Sequence, residues 1–425
     1  MKSVKMILAL LLLPLLLSGC VKDNDSEKSS GTGEYPSPSM VQPFEPEYPE
    51  NSGGRPKGEE DELRALWIYY MELDFRDTDE QGFKSRVDMM FDDAASMKLN
   101  AVIVQIRPFC DAFYDSQIFP YSEYLTGTQG EDPGYDPLAY MVEAAHARGL
   151  KFHAWLNPFR VSMTSEDPEE LAENNPGRIY LSDGDGENDD WAVVAAGGIY
   201  LNPAVPEVRE LITEGVREII DNYPVDGIHF DDYFYPTTDS EFDAAAYERY
   251  LAEAGEEPMT QEDFRRENMN IFVKGVYDSV KEKNSEILFG ISPMADIENN
   301  YDHLYADIPL WMEEPGYVDY ILPQTYFGFE HMQEAFQFDT LASRWHELER
   351  HESVELYYGL PVYKIGDLDQ GSEEWLLADD IIRRQVEYTR ELSGCGGFAL
   401  YSYGPLFSGE ELNTAQREKL LEILE

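Results

Sequence analysis

Basic residues are scarce in this 425-residue chain: 32 Lys and Arg stand against 84 Asp and Glu, a formal net charge of −52. Such a chain repels phosphate backbones, which excludes nucleic acid as a partner, and it has little to offer an anionic lipid surface. A neutral polymer is the substrate class least penalised by that field. Cysteine is scarcer still, at three residues. One of them, Cys20, belongs to the N-terminal segment. Cys110 falls just past the end of one strand pattern and Cys395 just before the start of another, so in a parallel barrel they lie on opposite rims, too far apart to bridge. Seven scattered histidines, no Cys cluster and no His-x-His pair in the first strand pattern make a poor metal-ligand set. No Gly-x-Gly-x-x-Gly or phosphate-loop pattern follows that strand either. Neither a metal nor an organic cofactor is expected.

Long apolar runs are missing except at the N-terminus. Lys2 and Lys5 precede the apolar segment 6–17, and Leu17-Ser-Gly-Cys20 closes it. That segment is too short for a permanent membrane span. Residues 1–20 are read as a signal peptide, with a terminal box that resembles the bacterial lipobox and so implies cleavage before Cys20 and acylation of its thiol. The mature protein would be an exported lipoprotein, held to the outer face of the cytoplasmic membrane or cell envelope by lipid. Residues 21–58 are rich in Ser, Gly, Pro, Asp and Glu. They read as a disordered tether with a reach of roughly 35 Å.

From residue 59 to 425, strand-like apolar runs alternate with amphipathic helix patterns, the signature of repeated βα units. Strands are expected at 63–70, 101–108, 150–158, 225–233, 287–294, 318–326, 356–363 and 397–403. Helices are expected at 83–98, 137–148, 206–222, 261–283, about 304–314, 339–350, 373–392 and 409–424. Eight units point to a (β/α)8 TIM barrel with long βα loops on its C-terminal face. The spare length falls at 109–136, 159–205 and 234–260, all after strand ends and so all on one rim.

Polar residues of one parity converge at that rim, where barrel interiors otherwise favour Val, Ile and Leu. The segment Val225-Asp-Gly-Ile-His-Phe-Asp-Asp-Tyr-Phe-Tyr-Pro236 is the most informative. Its His229 and Asp231 share one face, and Asp232 takes the other. Further candidates for holding a sugar are Arg107, Asp111, His153, Trp155, Asn157, Arg160, Gln324, Tyr326 and Tyr401. Glycoside hydrolysis needs one ionised and one protonated carboxyl. Asp231 is the expected ionised member. Glu330 is the first choice of acid, because Phe327, Phe329 and His331 flank it and apolar neighbours would raise its pKa. Asp111 is a later choice of acid, and Asp232 is expected to hydrogen-bond the neighbouring loop.

Several stretches carry a resemblance: Arg64-Ala-Leu-Trp-Ile, Val104-Gln-Ile-Arg-Pro-Phe-Cys-Asp-Ala-Phe-Tyr, His153-Ala-Trp-Leu-Asn-Pro-Phe-Arg, Leu201-Asn-Pro, the segment from Asp226 to Pro236, and Pro323-Gln-Thr-Tyr. Together they resemble the glycosyl-hydrolase-like family 10 lipoproteins. The resemblance implies a barrel glycosidase of the bacterial envelope, one branch of which is associated with peptide-free peptidoglycan glycan strands. It also suggests a link to α-amylase-type barrels, whose Gly-Phe-Arg-x-Asp strand matches Gly227 to Asp231 and places the nucleophile on Asp231. Because those barrels keep their acid after strand five, the resemblance makes Asp296 the second choice of acid, ahead of Asp111. Two departures stand out: Ser292-Pro-Met-Ala-Asp-Ile-Glu replaces the Ser-Pro-Phe-Gly-Ile-Trp-Arg of many relatives, and Phe327 follows Tyr326 where many have Trp. A non-catalytic lipoprotein that captures glycans in the same cleft is the alternative.

Cys20→Ser should release the protein from membranes into the soluble fraction. Unchanged membrane fractionation would refute the lipid anchor.

Overall fold

The computed structural model describes residues 62–184 and 186–425. Cys20 and the segment 21–58 lie outside the described residues. Eleven strands are described: β1 (Leu63–Ile68), β2 (Ala101–Arg107), β3 (Lys151–Leu156), β4 (Arg160–Ser162), β5 (Ala192–Ala195), β6 (Gly198–Leu201), β7 (Gly227–Phe230), β8 (Leu288–Ile291), β9 (Tyr320–Ile321), β10 (Glu355–Pro361) and β11 (Cys395–Tyr401). Eight of them, β1, β2, β3, β7, β8, β9, β10 and β11, form a closed parallel ring in chain order, and β4, β6 and β5 form a separate antiparallel sheet. This is the (β/α)8 barrel expected from the alternating pattern. The antiparallel sheet occupies the long segment after β3, and a helix at Ala244–Glu253 occupies the one after β7.

Every residue of β1 and β2 is buried, as expected for strands covered on both sides. Alternation sorts their side chains. Ala65, Trp67, Ala101 and Ile103 point into the barrel with Trp155, Tyr320 and Tyr357. Leu66, Ile68, Val102 and Val104 face the surrounding helices and join the larger core. The helices begin where capping chemistry allows: Asp79 accepts from Gly82 N, Asp136 from Ala139 N and Thr260 from Asp263 N, while Pro137 and Pro206 occupy first-turn positions. The segment after β7 is pinned by a buried ion pair, Arg265 Nη2 to Asp243 Oδ1 at 2.6 Å. Cys110 and Cys395 are both free thiols.

Several elements are shorter than the sequence pattern suggests, β7 and β8 among them, and two show why. The expected strand 318–326 is regular only at Tyr320–Ile321. Beyond it Pro323 has no N–H to give, and tight turns take over: Thr325 N bonds Pro323 O at 2.9 Å and Tyr326 N bonds Gln324 O at 2.7 Å. The expected helix 373–392 is split into Glu374–Leu377 and Ile381–Glu391. Ala378 between them is extended, at φ −82° and ψ 141°.

Inside the ring, two glycines decide what fits. Gly227 pairs with His153, and a methyl group on it would come within 2.7–2.9 Å of the His153 ring. Gly290 pairs with both His229 and Tyr320, and a methyl there would overlap the Tyr320 ring. The barrel interior is filled by rings where glycine gives room. Gly290→Ala should therefore cost about 1–3 kcal/mol by overpacking. A urea midpoint unchanged from wild type would contradict this account.

Candidate active site

The regular part of β7 ends at Phe230, and Asp231 follows it at the barrel mouth. Phe230 points outward, stacked on Phe272, so the next residue on the inner side is Asp231. It is 2% exposed. Trp155 donates its Nε1–H to Asp231 Oδ2 at 3.0 Å, and Asn157 Nδ2 reaches the two carboxylate oxygens at 3.2 and 3.3 Å. The Asn157 amide cannot be reversed, because its Oδ1 accepts from Arg160 N at 3.1 Å. A more distant donor is Tyr233 N, 3.4 Å from Oδ1.

Asp232 turns to the other side of the mouth. It accepts from Gln324 Nε2 at 2.9 Å, and the same amide group donates to Ser292 O at 3.0 Å. Gln324 follows β9, so the bond to a neighbouring segment is as expected. The strand has already ended, however, and Asp232 is not carried outward: Phe234 N bonds back to Asp232 O at 3.1 Å in a tight turn. Burial pushes Asp231 up to about 7, with the charge of Asp232 adding to the rise and Arg160 opposing it. Burial raises Asp232 as well, and its Gln324 bond opposes the rise. Both carboxyls therefore hold a proton more tightly than a solvated carboxyl does. The donors from Trp155 and Asn157 oppose the rise at Asp231 without cancelling it.

Beneath the carboxyls runs a chain of rings. His153 Nδ1 lies 2.9 Å from the Tyr320 hydroxyl, which lies 3.0 Å from His229 Nδ1. His229 Nε2 lies 3.0 Å from Ser292 Oγ and 3.4 Å from Trp67 Nε1. The Trp67 indole can only donate, so His229 Nε2 accepts and its Nδ1 carries the hydrogen. Tyr320 therefore accepts from His229 and donates to His153. Burial depresses both imidazoles, His153 to about 4 and His229 well below its ordinary value. Burial thus favours the neutral form of both rings.

Aromatic rings wall the opposite side. Tyr326 and Tyr401 stack at 5.5 Å and 23°, and Trp67 meets each edge-on. Glu72, after β1, accepts from Ser402 Oγ at 2.8 Å, Gly404 N at 2.5 Å and Tyr69 N at 3.1 Å, tying the first strand's exit to the last.

The structure thus gathers Trp155, Asn157, Arg160, His229, Asp231, Asp232 and Gln324, with Tyr326 and Tyr401 on the wall and His153 reached through Tyr320. Other candidates lie apart. A register shift between Gln105 and Arg107 re-aims Arg107. Its guanidinium is fully enclosed over the Phe119 ring at 4.7 Å. Asp111 is buried beneath its own loop, where its Oδ2 accepts from Gln129 Nε2 at 3.1 Å. Asp296 caps the helix Ile297–His303 by accepting from Asn299 N at 3.1 Å. Glu330 lacks the apolar enclosure expected of it. Phe329 turns inward against Phe338 and Tyr388, which leaves Glu330 exposed, its backbone N–H on Glu374 Oε2 at 3.0 Å. Trp67, Tyr320 and Ser292 escaped the sequence reading, although each has the inward parity of its strand.

A closed (β/α)8 barrel with enclosed carboxyls, amides and an aromatic wall at its C-terminal mouth has the equipment of a glycoside hydrolase-like protein. The chain belongs to the glycosyl hydrolase-like 10 family, whose model matches residues 62–377. It is 38% identical over 356 residues to glycosyl hydrolase YngK of Bacillus subtilis strain 168, covering 78% of this chain and 66% of that one. It spans just under two thirds of that relative's length. Over 351 residues it is 31% identical to glycosyl hydrolase DigH of Escherichia coli K12, covering 77% and 76% of the two chains. Among solved structures it is similar to the PgaB (BpsB) glycoside hydrolase domain of Bordetella bronchiseptica, with a TM-score of 0.55 and 14% identity over 84% of this chain and 98% of that one. It is also similar to α-L-fucosidase isoenzyme 2 of Paenibacillus thiaminolyticus, with a TM-score of 0.52 and 12% identity over 85% and 49%. These two likenesses show the shared barrel.

Burial holds three carboxyls, Glu72, Asp111 and Asp231, up to about 7. Between the ordinary carboxylate range and pH 7 the folded state binds their protons more tightly than the unfolded state does. Their contribution to stability is therefore full at low pH and is lost as pH rises through 7. The two depressed histidines act oppositely, but only as pH falls below their ordinary value of 6.5. The urea midpoint should thus rise on going from pH 8 to pH 6, and Asp111→Asn should shrink the rise. A midpoint that falls over this interval would refute the assignment.

Proposed function

We propose that the protein is a lipid-anchored, metal-independent glycoside hydrolase that cuts O-glycosidic bonds in an envelope or environmental polysaccharide, peptide-free peptidoglycan glycan strands among them. The family and its curated relatives support the hydrolase class. The observation that carries the mechanism is the enclosed carboxyl pair, one member held by Trp155 and Asn157 and the other by Gln324. Asp231 carries the charge opposite the developing oxocarbenium centre, and Asp232 holds the proton that the leaving oxygen takes. Tyr326, Tyr401 and Trp67 offer faces and edges to the sugar rings. Cys20 anchors the mature chain to the outer face of the cytoplasmic membrane or cell envelope, and the segment 21–58 carries the barrel clear of the bilayer.

Asp231→Asn keeps the shape and removes the charge, so it should lower kcat by about three decades or more on reducing-end-labelled glycan strands followed by product mass spectrometry. Asp232→Asn should be rescued on substrates with activated leaving groups, which need no protonation. Rescue of Glu330→Gln instead would move the acid to Glu330. Full activity of Asp231→Asn would end the hydrolase mechanism, and unchanged glycan binding with no turnover in wild type would favour a capture protein using the same cleft.

A further inference from the structure

Arg160 stands beside the carboxyl pair without binding it. The residue is 5% exposed, and its Nε and Nη2 are buried with no partner. Its guanidinium lies 3.8 Å from the centre of the Tyr233 ring, and that tyrosine is 50% exposed at the open side of the mouth. The positive charge is felt by both Asp231 and Asp232. Arg107, on the same β2–β3 flank, also has buried and unpartnered Nε and Nη1.

Leaving a buried guanidinium half satisfied is costly, because its desolvation is not offset. In this chain the omission is not for want of partners. With 84 acidic and 32 basic residues, a carboxylate could easily have been placed there, as Asp243 is for Arg265. A planar fork with free N–H groups suits a carboxylate taken two-point. We propose that Arg160 is a subsite for a carboxylate borne by the substrate sugar next to the one being cleaved. This deepens the glycosidase reading and rests on it. It also revises the expectation of a neutral substrate: the long-range field of the acidic surface is screened within about 8 Å at physiological salt, whereas the guanidinium acts by contact. An acidic glycan is then accepted only where its carboxylate meets Arg160.

The test uses the full chain, with Asp231→Asn holding substrate uncut. Calorimetry compares a peptide-free peptidoglycan fragment with the same fragment after its carboxylates are converted to methyl esters. The acid form should bind at least about tenfold more tightly. Arg160→Met should bring the ratio to within about twofold, and Arg160→Lys should leave it in between, since the charge stays and the fork is lost. If Arg160 served only to keep Asp231 ionised, turnover of both forms would fall together in Arg160→Met and the binding ratio would survive. Equal affinity for the two forms, which needs no folded variant to observe, overturns this subsite and leaves the hydrolase reading standing. An intact acid preference with no hydrolysis of the acid form by the wild-type chain overturns the hydrolase reading alone, and binding of neither form overturns both.

Discussion

Much of this molecule follows from keeping a carboxyl out of water at the end of one strand. Asp231 could be left unsupported only at a cost of several kcal/mol, since a buried charge without partners is unstable. Its supports come from the neighbouring strand: the indole of Trp155, the amide of Asn157 and, through that amide, the backbone of Arg160. These donors are reachable because β3 and β7 pair in parallel, with Trp155 level with His229. The ring must close around them. A sheet with an open edge at this point would admit water and return Asp231 to an ordinary carboxylate.

The layer below obeys a packing rule as much as a polar one. Interiors are filled at near-crystalline density, and here the filling is done by imidazoles and a phenol in place of branched aliphatics. Gly227 and Gly290 make that substitution possible. One hydroxyl serves two histidines, and the indole of Trp67 sets the direction of the hydrogens. The result is a neutral polar floor: it orients its own members, adds no net charge under the carboxyls, and leaves their protonation to be governed by burial and by each other.

How much of this could be read from the residues differs by element. The barrel was legible because apolar runs and amphipathic helices alternate eight times, and strand parity was enough to bring His229, Asp231, Trp155 and Asn157 to one rim. Where parity misleads, a local event intervenes. The register shift after Gln105 turns Arg107 towards Phe119, and no composition signal marks it. Strand β9 yields to turns at Pro323, which carry Gln324 to Asp232. Glu330 looked apolar by its sequence neighbours, yet adjacent side chains diverge, so the burial of Phe329 is what leaves Glu330 outside. Tyr320 and Ser292 were passed over because neither residue type advertises itself. Their importance lies in what they touch across the ring, 91 and 63 residues away from His229 in the chain.

The single bond from Arg160 N to Asn157 Oδ1 has an evolutionary consequence. It fixes the chain at the root of the antiparallel sheet β4–β6–β5, so the side chains that bond Asp231 all precede that sheet. Beyond the root, insertions, deletions and sequence drift can reshape the rim of the barrel while the bonds to Asp231 are left alone. The support of Asp231 and the shape of the rim are thus separable along the chain at one residue, and the segment past Ser162 can be recut without disturbing the carboxyl.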